Sequence, residues 1–141
     1  MTSSSPSARG SGPTDTNLPL VLIVDDNAKN LKLARDVLRA AGLRTLEASS
    51  GNEGIALAAE RLPDVILLDL RLPDMDGMDV ARELRSGART AHIPVVALSA
   101  LQLEGDGERL RAAGFSGRLE KPISVGEFPD QVRRYCARAT S

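Results

Sequence analysis

Val65-Ile66-Leu67-Leu68-Asp69 decides the fold, because four apolar residues run without interruption and end abruptly in a carboxylate. An apolar run of this length without alternation is the pattern of a strand covered on both faces, as in a parallel sheet held between helices. Two other runs end in the same way. Leu20 to Val24 stops at Asp25-Asp26, and a later run is closed by Lys121-Pro122. If these strands lie parallel and side by side, three acids and one cation meet at one edge of the sheet, where open α/β folds place their ligand sites. That set of groups suits phosphate and metal chemistry.

Outward from these runs the chain alternates between short apolar stretches and amphipathic ones. Leu20–Val24, Val65–Leu68 and Ile93–Leu98 read as central strands, while Leu43–Ala48 and Ser116–Glu120 are more polar and suit the sheet edges. Leu31, Ala34, Leu38 and Ala41 recur at helical spacing, with Asn27 placed to cap the start and Gly42 to end the helix. Further helices are expected at about Asn52–Arg61, about Met78–Ser86, before Gly114, and from Ser124 onward. In the last of these, Ser124 and Glu127 form a capping-box pattern, and Val125, Phe128, Val132 and Tyr135 share a face. The sum is a (βα) unit repeated to five strands, which predicts a flavodoxin-like, doubly wound α/β fold with a parallel sheet in the order 2-1-3-4-5.

Two features oppose this regularity. Pro129 inside the last predicted helix would remove a hydrogen bond and clash with the carbonyl of Val125, at roughly 3 kcal/mol, so that helix either kinks or starts later. Gly105 and Gly107 weaken the start of the fourth helix by about 1 kcal/mol each relative to Ala, which eases movement there.

Composition sets the frame for function. At 141 residues and 42% apolar content the chain suits one domain with one core. Residues 1–17, rich in Ser, Thr, Gly and Pro, read as a disordered tail ahead of a folded domain at 18–139. A net charge of -1 gives no bulk attraction to nucleic acid or an acidic membrane, and no apolar run is long enough to span one. The single Cys136 cannot form an internal disulfide, and the N-terminus lacks the apolar core of a signal peptide, so a cytoplasmic location is expected.

The chemistry follows from the residue types. Three carboxylates, Asp25, Asp26 and Asp69, converging on adjacent strands repel one another unless a cation neutralises them. Magnesium, a hard cation that prefers oxygen ligands and keeps several waters, fits such a cluster, and manganese could take its place. Zinc does not fit, since the only His and Cys are His92 and Cys136 and neither stands at a ligand spacing. Ser99 brings a hydroxyl to the same edge, with the small Ala100 beside it. Lys121 is one of only three lysines among 18 basic residues, and its compact ammonium suits a point contact with phosphate.

At these positions the chain resembles the receiver domain of two-component response regulators, the CheY-like superfamily. The resemblance rests on Val24-Asp25-Asp26-Asn27, on Leu67 to Gly77 (Leu-Leu-Asp-Leu-Arg-Leu-Pro-Asp-Met-Asp-Gly), on Leu98-Ser99-Ala100 and on Lys121-Pro122, and it covers about Leu20 to Ala137. It implies that Asp69 accepts a phosphoryl group from a phosphohistidine on a histidine kinase or histidine phosphotransferase. It also implies that Asp25, Asp26, Asp69 and the main-chain carbonyl of Arg71 hold magnesium. Lys121 would pair with a phosphoryl oxygen, and Ser99 would be the switch hydroxyl. Arg71 and Leu101, two residues past the acceptor and past the switch serine, would tune the lifetime of the phosphorylated state. One position departs from the pattern: most such domains carry Tyr or Phe three residues before the lysine, and this chain has Arg118.

The tracts 91–100 and 120–125 are similar to stand-alone, single-domain regulators of the DivK type, which serve bacterial cell-cycle and phosphorelay signalling. The chain closes at Ser141 soon after the last predicted helix, so the expected output is binding of a downstream protein, with no direct contact to nucleic acid or membrane. Arg133, Arg134 and Arg138 read as a solvated helix face, and His92, ahead of a buried strand, has no phosphotransfer role. Two other readings are open. One is the receiver of a hybrid histidine kinase, with residues 1–17 as linker. The other is a magnesium-dependent phosphatase with an Asp nucleophile, which needs a second acid where Arg71 stands. On the receiver reading the chain is no enzyme beyond its own phosphorylation and dephosphorylation.

Overall fold

The structure, a computed structural model, describes residues 18–99, 106–120 and 125–140. The proposed tail at 1–17 and the positions of Leu101, Gly105, Lys121, Pro122 and Ser124 lie outside those residues. Five strands and five helices alternate: β1 Leu20–Val24, α1 Ala28–Ala40, β2 Arg44–Ala48, α2 Gly51–Arg61, β3 Val65–Asp69, α3 Gly77–Ser86, β4 Val95–Ser99, α4 Asp106–Ala113, β5 Gly117–Glu120 and α5 Phe128–Thr140. All strands pair in parallel, in the expected order β2-β1-β3-β4-β5.

The continuous apolar runs are strands because both faces of the sheet are covered. Every residue of β1 and β3 is buried. Successive side chains point to opposite faces. Val21, Ile23, Val65 and Leu67 therefore pack with Leu38, Phe128 and Val132 of α1 and α5, while Leu22, Val24, Ile66 and Leu68 pack with Ala58, Val80, Leu84 and Leu110 of α2, α3 and α4. At about 1.5–3 kcal/mol for each large side chain removed from water, these two layers are the main source of stability.

Helix boundaries follow local chemistry. The Asn27 side chain accepts hydrogen bonds from Lys29 N–H and Asn30 N–H, capping α1, and Gly42 follows the helix at φ 91°. That left-handed conformation is open to glycine at little cost. The last helix differs from the sequence expectation. It begins at Phe128, after a turn at residues 125–127, later than the expected start, and Val125 is exposed instead of sharing a face with Phe128, Val132 and Tyr135. Gln131 N–H donates to the Glu127 carbonyl at 3.0 Å, which sets Glu127 at the entry to α5. Pro129 thereby falls in the first turn, where its missing N–H removes no intrahelical bond, and the later start resolves the conflict.

Candidate functional site: an acidic cluster at the C-terminal sheet edge

In the order β2-β1-β3, the crossover direction reverses between β1 and β3, and this switch point is where such a sheet opens a crevice beyond its C-terminal strand ends. Pairing of Val24 with Leu68 brings Asp25, one residue beyond β1, level with Asp69, the last residue of β3. Asp69 in turn pairs with Leu98, so Ser99 stands one step further along the neighbouring strand. Ser99 pairs with Glu120 at the end of β5, the residue before Lys121.

Carboxylate oxygens of Asp25, Asp26 and Asp69 all lie within 4.8 Å of one another. Asp25 is 1% exposed and Asp69 8%, while Asp26 faces solvent. Each buried carboxylate is oriented by the main chain two residues ahead: Asn27 N–H donates to Asp25 Oδ1 at 2.9 Å, and Arg71 N–H donates to Asp69 Oδ1 at 3.1 Å. Asp25 is also fixed through its backbone, since its N–H donates to the Ala48 carbonyl at 3.0 Å and extends the pairing of β1 with β2. Like charges at this separation repel by roughly 3 kcal/mol per pair at an effective dielectric of about 20. A hard divalent cation reverses that sign, and an all-oxygen, partly buried donor set is the kind magnesium takes.

The loop from Leu70 to Asp76 folds back tightly over the end of β3. Arg71 bridges to Asp76, and Gly77 N–H donates to the Leu70 carbonyl at 3.1 Å. A Cβ on Gly77 would lie 2.7 Å from Leu70 Cα and 3.0 Å from the Asp69 carbonyl oxygen. Asp76 caps α3 by accepting from Met78 N–H at 2.9 Å. Asp74 has no role legible from its neighbours in the chain, because its partners, Gly51 and Asn52, are on α2.

Of the residues singled out in the sequence, Asp25, Asp26 and Asp69 are brought together, and Ser99 is half-buried at the end of the adjacent strand. Arg71 is exposed in the loop after Asp69. Arg118 is half-buried on β5, paired with Ala97 of β4. Lys121 and Leu101 lie outside the described residues. His92 is exposed ahead of β4. Cys136 is buried against the α1/α5 layer, and burial pushes its thiol up to about 12, so it is neither a metal ligand nor a nucleophile. Among the described residues no helix is long and apolar enough to cross a membrane.

Comparison with known proteins agrees with this geometry. The model of the response regulator receiver domain family matches residues 21–133. The polar-differentiation response regulator DivK of Brucella ovis is 41% identical over 119 residues, covering 84% of this chain and 97% of DivK. Among solved structures, the receiver domain of the Pseudomonas aeruginosa sensor histidine kinase PA1611, which has a magnesium ion coordinated in its active-site cleft, is similar at 32% identity and TM-score 0.78, covering 85% of this chain and 98% of that one. A response regulator from Chloroflexus aurantiacus is similar at 30% identity and TM-score 0.80, covering 86% and 99%.

Proposed function

From the premise that the chain belongs to the response regulator receiver domain family, and so to two-component signalling, we propose the following division of labour at its acidic edge. Asp69 is the phosphoacceptor. A single observation carries this: Asp69 ends a fully buried central strand with its carboxylate oriented by Arg71 N–H and placed within 4.8 Å of two further acids. Asp25, Asp26, Asp69 and the Arg71 carbonyl hold magnesium, or manganese, whose charge offsets the repulsion of the cluster and of an incoming phosphoryl group.

Transfer of a phosphoryl group needs positioning and charge stabilisation more than a general base. Asp69 supplies the attacking carboxylate oxygen, Lys121 pairs with a phosphoryl oxygen, and Ser99 donates a hydrogen bond to another. The donor is a phosphohistidine on a histidine kinase or histidine phosphotransferase. Self-catalysed phosphorylation and hydrolysis are the only reactions, and a phosphatase reading lacks the second acid at position 71. Added charge and acceptor oxygens at Asp69 draw Ser99 and Lys121 inward and alter the surface around β4 and β5. Arg118, in place of the usual aromatic residue, changes environment in that step, and Arg71 and Leu101 set the lifetime of the phosphorylated state. The altered surface binds a downstream protein, in the cytoplasm.

Acetyl phosphate and magnesium, followed by intact mass, test the assignment. One phosphoryl adduct, absent in Asp69→Asn, is expected; an adduct that persists in that variant sinks it. Beryllofluoride with magnesium is expected to shift the amide resonances of residues 99–125, and unchanged shifts there would remove the switch.

A further inference from the structure

One side chain ties the β3–α3 loop to the N-terminus of α2. Asp74 accepts from Gly51 N–H through Oδ1 at 2.8 Å and from Asn52 N–H through Oδ2 at 3.0 Å. Ser50 Oγ accepts from Glu53 N–H at 3.2 Å, and the Ser50 carbonyl accepts from Gly54 N–H at 3.0 Å. The N–H groups of Gly51, Asn52 and Glu53, which a helix by itself leaves without acceptors, thus each find one. A cap normally comes from the residue just before the helix, whereas two of these three bonds come from 23 and 22 residues away, in the next crossover. The bonds from Asn52 and then Gly51 hold the Asp74 carboxyl below the usual carboxylate range.

Both ends of this contact lead to the acidic cluster. In the loop, Arg71 N–H donates to Asp69 and Gly77 N–H closes onto the Leu70 carbonyl. On the other side, the segment entering α2 continues from Ala48, whose carbonyl accepts from Asp25 N–H. Asp25, the end of β2, the start of α2, the loop and Asp69 therefore form one closed circuit. Packing tightens it, since a Cβ on Gly51 would meet Val80 Cγ2 at 2.9 Å and Met75 Sδ at 3.1 Å.

We propose that Asp74 is a positioning residue for the cation site: by clamping the β3–α3 loop to α2 it fixes the Arg71 carbonyl relative to Asp25 and Asp69 before the ion arrives. The proposal rests on the ligand role assigned above to that carbonyl. Preorganised supports of metal ligands of this kind govern affinity, and removing one commonly costs about 10–100-fold.

The test uses the full chain, with Asp74→Ala and Asp74→Asn. Each is titrated with magnesium by calorimetry, melted without magnesium, and phosphorylated with acetyl phosphate across a magnesium series. Asp74→Ala is expected to bind magnesium about tenfold more weakly. At saturating magnesium its phosphorylation rate is expected to come within about twofold of wild type, because binding and not transfer is affected. Asp74→Asn keeps an acceptor for one of the two amides and is expected to fall between; it carries the test if the Ala variant does not fold. A lower melting temperature with wild-type magnesium affinity overturns the proposal and leaves Asp74 as a helix cap. A lost maximal rate at unchanged affinity overturns it as well. Wild-type protein that binds magnesium but gains no phosphoryl adduct would overturn the phosphoacceptor reading instead.

Discussion

Replacing Gly77 with Ala tests how closely the backbone approaches itself beneath Asp69, the proposed phosphoacceptor. The new methyl group would lie 2.7 Å from Leu70 Cα and 3.0 Å from the Asp69 carbonyl oxygen. Both neighbours are backbone, so no flexible side chain can swing aside. Reaching ordinary van der Waals separation from Leu70 requires a shift of about 0.7 Å in a segment pinned by the Gly77–Leu70 and Arg71–Asp69 hydrogen bonds. Overpacking of this kind costs about 1–3 kcal/mol, against less than about 1 kcal/mol gained from alanine's helix propensity at the start of α3. A net loss of about 2 kcal/mol corresponds to a melting temperature lower by about 8 °C for a domain of this size. Displacement of Asp69 by a sizeable fraction of an ångström should also slow phosphorylation by about tenfold, since misplacing a reacting group by about 1 Å can cost about 100-fold. Thermal denaturation and the acetyl phosphate rate read the two effects. Gly126→Ala is the control, because a Cβ there meets nothing within 4 Å, and its melting temperature should stay within about 2 °C of wild type. Equal behaviour of the two variants would refute the reasoning.

Gly117→Ala should push aside the Tyr135 hydroxyl, which packs directly over Gly117. Tyr135 is the single Tyr in a chain without Trp, so its emission reports that displacement cleanly, and unchanged emission would contradict the packing. Phe128→Ala removes one of the largest fully buried side chains and should cost about 3–5 kcal/mol in denaturant unfolding. Cys136 should resist alkylation in the native state at pH 8 and react on unfolding. Because its folded pKa of about 12 lies above its unfolded value, the contribution is full below about pH 8.5, the pKa of an exposed thiol, and declines as pH rises toward 12. A Cys136→Ser variant with an unchanged alkaline unfolding profile would count against this.

The sequence by itself determined the class of fold and the identity of the cluster. Unbroken apolar runs such as Val21–Val24 and Val65–Leu68 are compatible with a sheet buried on both faces, and a carboxylate at the end of each fixes which edge carries charge. These are local signals, since a strand's burial and the residue that ends it lie next to each other in the chain. The start of α5 was not legible in the same way. The Ser124–Glu127 pattern predicts an earlier start, and only docking of Phe128 into the α1/α5 layer places the first turn where Pro129 is tolerated and Val125 is left in solvent. The structural roles of Asp74 and Gly77, though both stand in the quoted motif, were not legible for a related reason. The meaning of Asp74 lies in amides 22 and 23 residues away, and that of Gly77 in a loop that folds back on it. Contacts of this sort have no period and no composition. The tertiary structure alone decides them, because they exist only once the crossovers have brought α2 and the β3–α3 loop to the same end of the sheet.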